Sequence, residues 1–294
     1  MKITKAVIAA GGLGTRFLPE TKSVPKEMLP IIDKPIIHYL VEELVKSGIK
    51  TVIIITRPGF NTYKNYFSRD PSLEKSLLRT GKVDLYRQIK DIPGIAKMIF
   101  LSQSSKLPYG NGSPILAAKK YIKKGESFVY MFGDDLTLAK KPVSKQIIDV
   151  FEKYKPKAVL AVQKVPWKEV PLYGSVEYKK KSKYKYEIAR LIEKPKINEA
   201  PSQMVQFGRF VLSYDVILEA QKTALGKGNE LWMADILNKM VKTGKKVIAQ
   251  PIKGEWLTTG DPLRFIRTTL KFAMERPDLR EELYNFIHKE LKKK

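Results

Sequence analysis

Short, β-rich apolar runs alternate along this chain with longer segments of helical period. Lys5–Ala10 and Thr51–Thr56 are apolar at nearly every inner position, not at every second one. Such runs suit strands buried on both faces, as in a parallel sheet. Between them Pro35 opens a segment with apolar residues at Ile36, Ile37, Leu40, Val41, Leu44 and Val45, and Gly48 closes it. That spacing lines one face of a helix, with proline at its start and glycine past its end. Further strands are expected at Met98–Leu101, Phe128–Phe132 and Lys157–Gln163, and further helices at Pro114–Ile122 and Ser144–Tyr154. The β-α-β-α order predicts an α/β fold, an open and mostly parallel sheet covered by helices on both faces.

Beyond Pro166 the rhythm changes. Gly174–Tyr178 and Glu187–Ile192 read as strands around a lysine-rich turn, and Val205–Leu212 as another strand. Helices follow at Asp215–Ala220 and Leu231–Val241, then a strand at Lys246–Pro251. From Asp261 onward the chain reads as largely helical, interrupted at Pro277. With no internal repeat and no long linker, residues 1–294 are expected to form one domain, its only candidate boundary lying at Pro166–Pro171.

Composition removes whole classes of function. The absence of cysteine excludes disulfides, thiolate-bound zinc and thiol catalysis, and two histidines, His38 and His288, leave little for a triad or an imidazole metal site. No apolar run approaches the ~18 residues that span a bilayer, so no membrane partner is expected. The N-terminal residues run straight into a strand without a cleavage pattern, which points to the cytoplasm. The net charge of +25 suits nucleic acid, an anionic surface or small polyanionic substrates. The lysines are spread along the chain, with local runs at Lys179–Lys183 and Lys292–Lys294. Solvated faces account for them better than a nucleic-acid stripe, and no nucleic-acid partner is expected.

The first strand runs into Gly11-Gly12-Leu13-Gly14-Thr15-Arg16. Glycines let backbone N–H groups approach a ligand closely, and strand ends are where open α/β sheets bind ligands. The spacing is not a P-loop, since no Gly-Lys-Ser/Thr closes it, nor the dinucleotide fingerprint, since Phe17 stands where a third glycine is needed. The turn continues as Phe17-Leu18-Pro19, and Pro25 and Pro30 bracket Lys26-Glu27-Met28-Leu29. Arg16 and Lys26 could converge on a triphosphate, or stand as surface cations on a proline-rich loop. Farther on, the strand Phe128–Phe132 ends in Gly133-Asp134-Asp135. A carboxylate there suits Mg²⁺, a hard ion preferring oxygen ligands, or else serves a turn or helix cap.

Gly-Leu-Gly-Thr-Arg-Phe-Leu-Pro followed by Pro-Lys-Glu-Met-Leu-Pro closely resembles the bacterial-type UTP–glucose-1-phosphate uridylyltransferases, within the sugar nucleotidyltransferase superfamily. The resemblance recurs in order from residue 4 to about residue 275. It implies a Rossmann-like mixed sheet of nucleotide-diphospho-sugar transferase type, with a nucleotide half (1–165), a sugar-phosphate half (166–260) and C-terminal helices (261–294). The implied reaction is UTP plus glucose 1-phosphate giving UDP-glucose and pyrophosphate, with Mg²⁺ as cofactor and a homo-oligomer, dimer or tetramer, as the assembly.

Carried onto this chain, the resemblance puts the turn residues Gly11, Gly12, Gly14 and Thr15 against the nucleotide and sets Arg16 and Lys26 on the triphosphate. It puts Gly11, Gly12 and Gln103 on the base and Gly110 on the nucleotide, and makes Asp134 the metal ligand with Asp135 second, Gly174 and Glu193 sugar ligands, and Lys194 the partner of the sugar phosphate. Tyr173-Gly174 and Glu193-Lys194-Pro195-Lys196 are the elements that match. Three departures stand out. The gap from Gln103 to Gly110-Asn111-Gly112-Ser113-Pro114 is two residues longer than usual, Ser113 replaces a histidine, and Thr258 stands where relatives often carry a second metal-binding aspartate. The first two bear on UTP against dTTP. The third leaves Asp134 with substrate phosphates and water as the expected metal site, with Asp261 as a substitute ligand. A dTTP-using or broader sugar-phosphate enzyme, a catalytically silent nucleotide-sugar binder and a nucleic-acid binder are the rival readings, in that order.

Overall fold

The structure, a computed structural model, describes residues 2–293. Along the chain the regular elements are β1 (Lys5–Ala10), β2 (Pro30–Ile31), β3 (Lys34–Pro35), α1 (Ile36–Lys46), β4 (Thr51–Thr56), α2 (Thr62–Tyr66), α3 (Pro71–Arg79), α4 (Val83–Lys90), β5 (Lys97–Ser102) and α5 (Pro114–Ala117). They continue as β6 (Ser127–Phe132), β7 (Asp135–Leu138), α6 (Val143–Tyr154), β8 (Ala158–Lys164), β9 (Gly174–Tyr178), β10 (Ile188–Glu193) and β11 (Met204–Ser213). The last are α7 (Tyr214–Ala220), α8 (Met233–Lys242), β12 (Val247–Pro251), β13 (Glu255–Thr258), α9 (Pro262–Glu275) and α10 (Pro277–Leu291).

Nine strands form the main sheet in the order β10-β9-β11-β6-β1-β4-β5, with β8 also on β11 and β12 on β8. β1, β4, β5 and β6 are mutually parallel neighbours, and β12 is parallel to β8. The antiparallel pairs all involve β10 or β11, so the sheet is mixed and mostly parallel. The solid apolar runs have a direct cause. Ala6, Ile8 and Ala10 of β1 face one helix layer, with Leu40, Val41 and Leu44 of α1, while Val7 faces the other, with Ile236 and Leu237 of α8. Each face of the strand needs its own apolar set.

β11 carries the chain across the middle of the sheet. Its C-terminal half pairs with β6 and its N-terminal half with β9, while β8 lies along its other edge. The register breaks between Gln206 and Phe210, and such a break re-aims side chains at a strand end. A separate two-stranded ribbon pairs β7 with β13 and folds over that point. No helix among the described residues is long and apolar enough to cross a membrane.

On α1, His38 is buried, with Nε2 2.9 Å from Glu42 Oε1 and Nδ1 3.0 Å from the Tyr66 hydroxyl. Tyr66 donating to Nδ1 leaves Nε2–H to donate to Glu42. That bond and the ammonium of Lys34, 2.7 Å from Glu42, outweigh burial and bring the Glu42 carboxyl down to about 2. A carboxyl lowered on folding adds stability above its unfolded pKa of about 4.3, and that stability is lost as pH falls toward the folded value. Thermal melts from pH 5 to pH 2 are therefore expected to fall less steeply for Glu42→Gln than for the wild type. Parallel curves would contradict the assignment.

Candidate active site

At the C-terminal ends of β1 and β6 the sheet opens into a cleft of about 570 Å³. It is lined by Gly11, Gly12, Gly14, Thr15, Arg16 and Lys26 from the first loop, Gln103 and Gly110 beyond β5, Asp134 after β6, and Gly174, Glu193 and Lys194 at the ends of β9 and β10, whereas Ser113 and Asp261 lie outside the lining.

Lys26 of the first loop is in contact with the acidic tip. Lys26 Nζ lies 2.6 Å from Asp134 Oδ2 and 4.0 Å from Glu27 Oε1. Burial works against the Lys26 charge, but Asp134 and Glu27 outweigh it and hold the ammonium above the usual lysine range. Burial likewise raises Asp134, yet Lys26 brings it below the usual carboxylate range. Arg16 Nη1 donates to the Gly260 carbonyl oxygen at 3.0 Å, which turns its guanidinium toward the same tip. Glu27 is buried beneath, its Oε2 accepting from the Tyr63 hydroxyl at 2.8 Å while Oε1 has no hydrogen-bond partner among the described residues.

Asp134 and Asp135 differ sharply. Asp134 keeps a quarter of its side chain exposed to the cleft. Asp135 is buried, its Oδ1 accepting from Trp256 Nε1 at 2.7 Å and its Oδ2 from the Gly208 N–H at 2.7 Å. Burial and the neighbouring Asp134 charge push the Asp135 carboxyl up to about 6. A Cβ on Gly208 would stand 2.4 Å from the Phe132 ring stem and 2.7 Å from Asp135 Oδ2, so only glycine admits this approach. Behind it, Arg209 is fully buried and makes a forked pair with Glu43 of α1, Nη2 to Oε2 at 2.9 Å and Nε to Oε1 at 3.1 Å. The same Nη2 also donates to the Asp135 carbonyl oxygen. The acidic tip is thus braced from α1 through Arg209.

Thr258 on β13 lies beside this tip with its Oγ1 3.5 Å from the Asp134 carbonyl oxygen, and it accepts from the Gly260 N–H at 3.3 Å. Thr259 donates to that same carbonyl through its N–H at 2.7 Å. The segment therefore braces the backbone of Asp134 and adds no second carboxylate. Asp261 does not supply one either: it caps α9, accepting from the Arg264 N–H at 2.9 Å and pairing with its guanidinium. Among the described residues no three His, Asp or Glu side chains gather as a metal cluster.

On the other wall Lys194 adopts a left-handed backbone, φ 44°, and its N–H donates to the Tyr173 carbonyl oxygen at 3.0 Å. A non-glycine residue there is mildly strained, and such strain collects at functional positions. The bend carries Lys194 Nζ over the Trp232 ring, 4.6 Å from its centroid. Glu193 is raised above the usual range by burial, against the opposing pull of Lys194, and accepts from Gln206 Nε2 at 3.1 Å. Gln206 is buried with its Oε1 unpartnered. Sequence reading missed Gln206, Trp232, Glu27 and the Arg209–Glu43 pair. Gln206 and Arg209 carry a signal, each a polar residue inside the apolar run of β11. Trp232 carries none.

A family model described as nucleotidyl transferase matches residues 5–275, and the chain belongs to that family. Within it the chain is similar to the UTP–glucose-1-phosphate uridylyltransferase of Bacillus subtilis (strain 168), 36% identical over 286 residues that cover 97% of this chain and 96% of the relative. It is also similar to a crystal structure of UDP-glucose pyrophosphorylase complexed with UDP-glucose, at TM-score 0.82 and 31% identity, covering 93% of this chain and 100% of that one. A UTP-bound enzyme of the same name from Acinetobacter baumannii aligns at TM-score 0.83 and 29% identity over 97% of this chain and 98% of its own.

Proposed function

We propose that this chain transfers a uridylyl group from UTP to glucose 1-phosphate, giving UDP-glucose and pyrophosphate. The observation that carries the reading is the convergence of Arg16, Lys26 and Lys194 with the partly exposed Asp134 carboxylate on a single cleft. Two polyanions must meet there, and their mutual repulsion is the main barrier. Fixed cations offset it and hold both partners in register.

A phosphate oxygen of glucose 1-phosphate attacks the α-phosphorus of UTP in line. The new P–O bond forms as the bond from that phosphorus to the bridging oxygen breaks, and pyrophosphate leaves with the electron pair. The attacking oxygen is already anionic near neutral pH, so no general base is required, and the cleft is lined by no histidine. Gly11, Gly12, Gly14 and Thr15 hold the nucleotide, Gln103 and Gly110 meet the base, and Arg16 and Lys26 take the triphosphate. Glu193 accepts hydrogen bonds from sugar hydroxyls beside the Gly174 backbone, and Lys194 pairs with the sugar phosphate as a point charge. The described residues up to 165 form the nucleotide half, residues 166–260 the sugar-phosphate half, and residues 261–293 the C-terminal helices, with Met1 and Lys294 outside the described residues.

The donor set at Asp134, one exposed hard oxygen ligand with room for phosphates beside it, fits Mg²⁺, which commonly binds through one carboxylate and its substrate. When bound, the ion supplies charge neutralisation on the transferring and leaving phosphates. Exposed apolar side chains on the C-terminal helices, among them Ile266, Phe286 and Leu291, support a homo-oligomer. An enzyme consuming UTP works where nucleoside triphosphates are kept, which favours the cytoplasm.

Pyrophosphate release across a panel of UTP, dTTP, CTP and ATP with glucose and galactose 1-phosphates tests the reading. UTP with glucose 1-phosphate is expected to have the highest kcat/KM, and preference for another pair would replace the assignment. Lys194→Ala is expected to raise KM for glucose 1-phosphate by about tenfold or more, with KM for UTP little changed. Trp232→Ala is expected to act in the same direction but only a few-fold, since it removes a cation–π contact. Equal effects on both substrates would contradict the placement of Lys194.

A further inference from the structure

Ser113 is fully buried just before α5, outside the lining of the cleft, and yet it is joined to it. Gln103 Nε2 donates to Ser113 Oγ at 3.1 Å. With its amide nitrogen turned to the serine, Gln103 leaves Oε1 on the cleft side, 3.6 Å from where a Cβ on Gly11 would lie. A glutamine amide is a donor at one end and an acceptor at the other, so whichever group fixes its rotation fixes what it offers a ligand.

We propose that Ser113 is a positioning residue for base selection: it locks the Gln103 amide so that the site presents an acceptor to the base. An acceptor matches the imide N3–H of uracil or thymine. It opposes the lone pair at N3 of cytosine, leaving two buried acceptors face to face. Gly110 keeps the serine in place. The left-handed backbone there, φ 119°, brings it so close to Leu231 that a built Cβ would stand 2.5 Å from the Leu231 oxygen, and the Ser113 N–H donates to the Gly110 carbonyl oxygen at 3.2 Å. The inference rests on the uridylyl-transfer reading and specifies how that site tells pyrimidines apart.

The test is the ratio of kcat/KM for UTP to that for CTP, with glucose 1-phosphate as the second substrate, in a double-mutant cycle. Ser113→Ala frees the amide to rotate and is expected to lower the ratio by about tenfold. Gln103→Leu is expected to lower it at least as far, and adding Ser113→Ala to Gln103→Leu to change nothing more, because the serine acts only through the amide. Ser113→Cys, close in volume but a poor acceptor, gives the same readout if the alanine variant does not fold. UTP turnover with a ratio unmoved by either serine variant, or a further fall in the double variant, would overturn this inference alone. A wild-type enzyme that does not use UTP would overturn the uridylyl-transfer reading and this inference with it.

Discussion

Replacing Lys26 with alanine is expected to lower kcat by about a thousandfold while the chain stays folded. The ammonium sits 2.6 Å from Asp134 and 4.0 Å from Glu27, so it ties the first loop directly to the acidic tip. Two consequences follow from removing it. The incoming triphosphate loses a fixed positive charge where negative charge gathers in the transition state. Asp134 loses the partner that keeps it ionised, so its carboxyl rises toward the ordinary range. The global fold has its own supports in the two apolar layers flanking the sheet. A loss of ~1–2 kcal/mol at this partly exposed pair corresponds to a Tm fall of only a few degrees. Steady-state kinetics with a matched thermal melt checks both halves. Near-normal turnover would remove Lys26 from the site.

The second large effect is on stability. Arg209→Ala is expected to destabilise the protein by about 3–5 kcal/mol, because it strands Glu43 as an uncompensated buried charge. Glu43→Ala acts by the same rule, leaving a fully buried guanidinium without its counter-ion. The pair ties α1 to β11, and Glu43 also accepts from the Ser144 N–H at 2.9 Å and its hydroxyl at 2.6 Å. Urea unfolding measures the loss. Replacing both members with apolar residues, Glu43→Leu with Arg209→Met, is expected to recover part of it, as buried ion pairs commonly allow. Recovery stays incomplete, since Arg209 also holds the Asp135 carbonyl next to the acidic tip. A stability change below 1 kcal/mol for the single variants would contradict the brace.

What the sequence disclosed and what it hid have separate physical causes. β1 and β4 are legible because both of their faces are buried, which gives a solid apolar run, and α1 because one face is, which gives a helical period. The helices α3 and α4 are not, because they bury almost no apolar surface, and Leu73, Leu78, Val83 and Leu85 all remain exposed. The short β7–β13 ribbon joins segments more than a hundred residues apart, and no local pattern encodes such a pairing. At the cleft the same division holds. Lys26 and Glu193 belong to contiguous motifs, whereas Arg209 and Glu43 are 166 residues apart and meet only through the tertiary fold. The preference for Asp134 over Asp135 came from the resemblance, and its geometric counterpart is the capture of Asp135 by Trp256 and Gly208.

On this mechanism the cleft performs one direct displacement between two phosphates, with no protein nucleophile. UTP made chiral at the α-phosphorus by a single sulfur substitution, reacted with glucose 1-phosphate, reports on it through the configuration of the UDP-glucose analogue formed. Inversion is the predicted outcome. Retention, which requires two successive displacements through a uridylylated protein group, would contradict it.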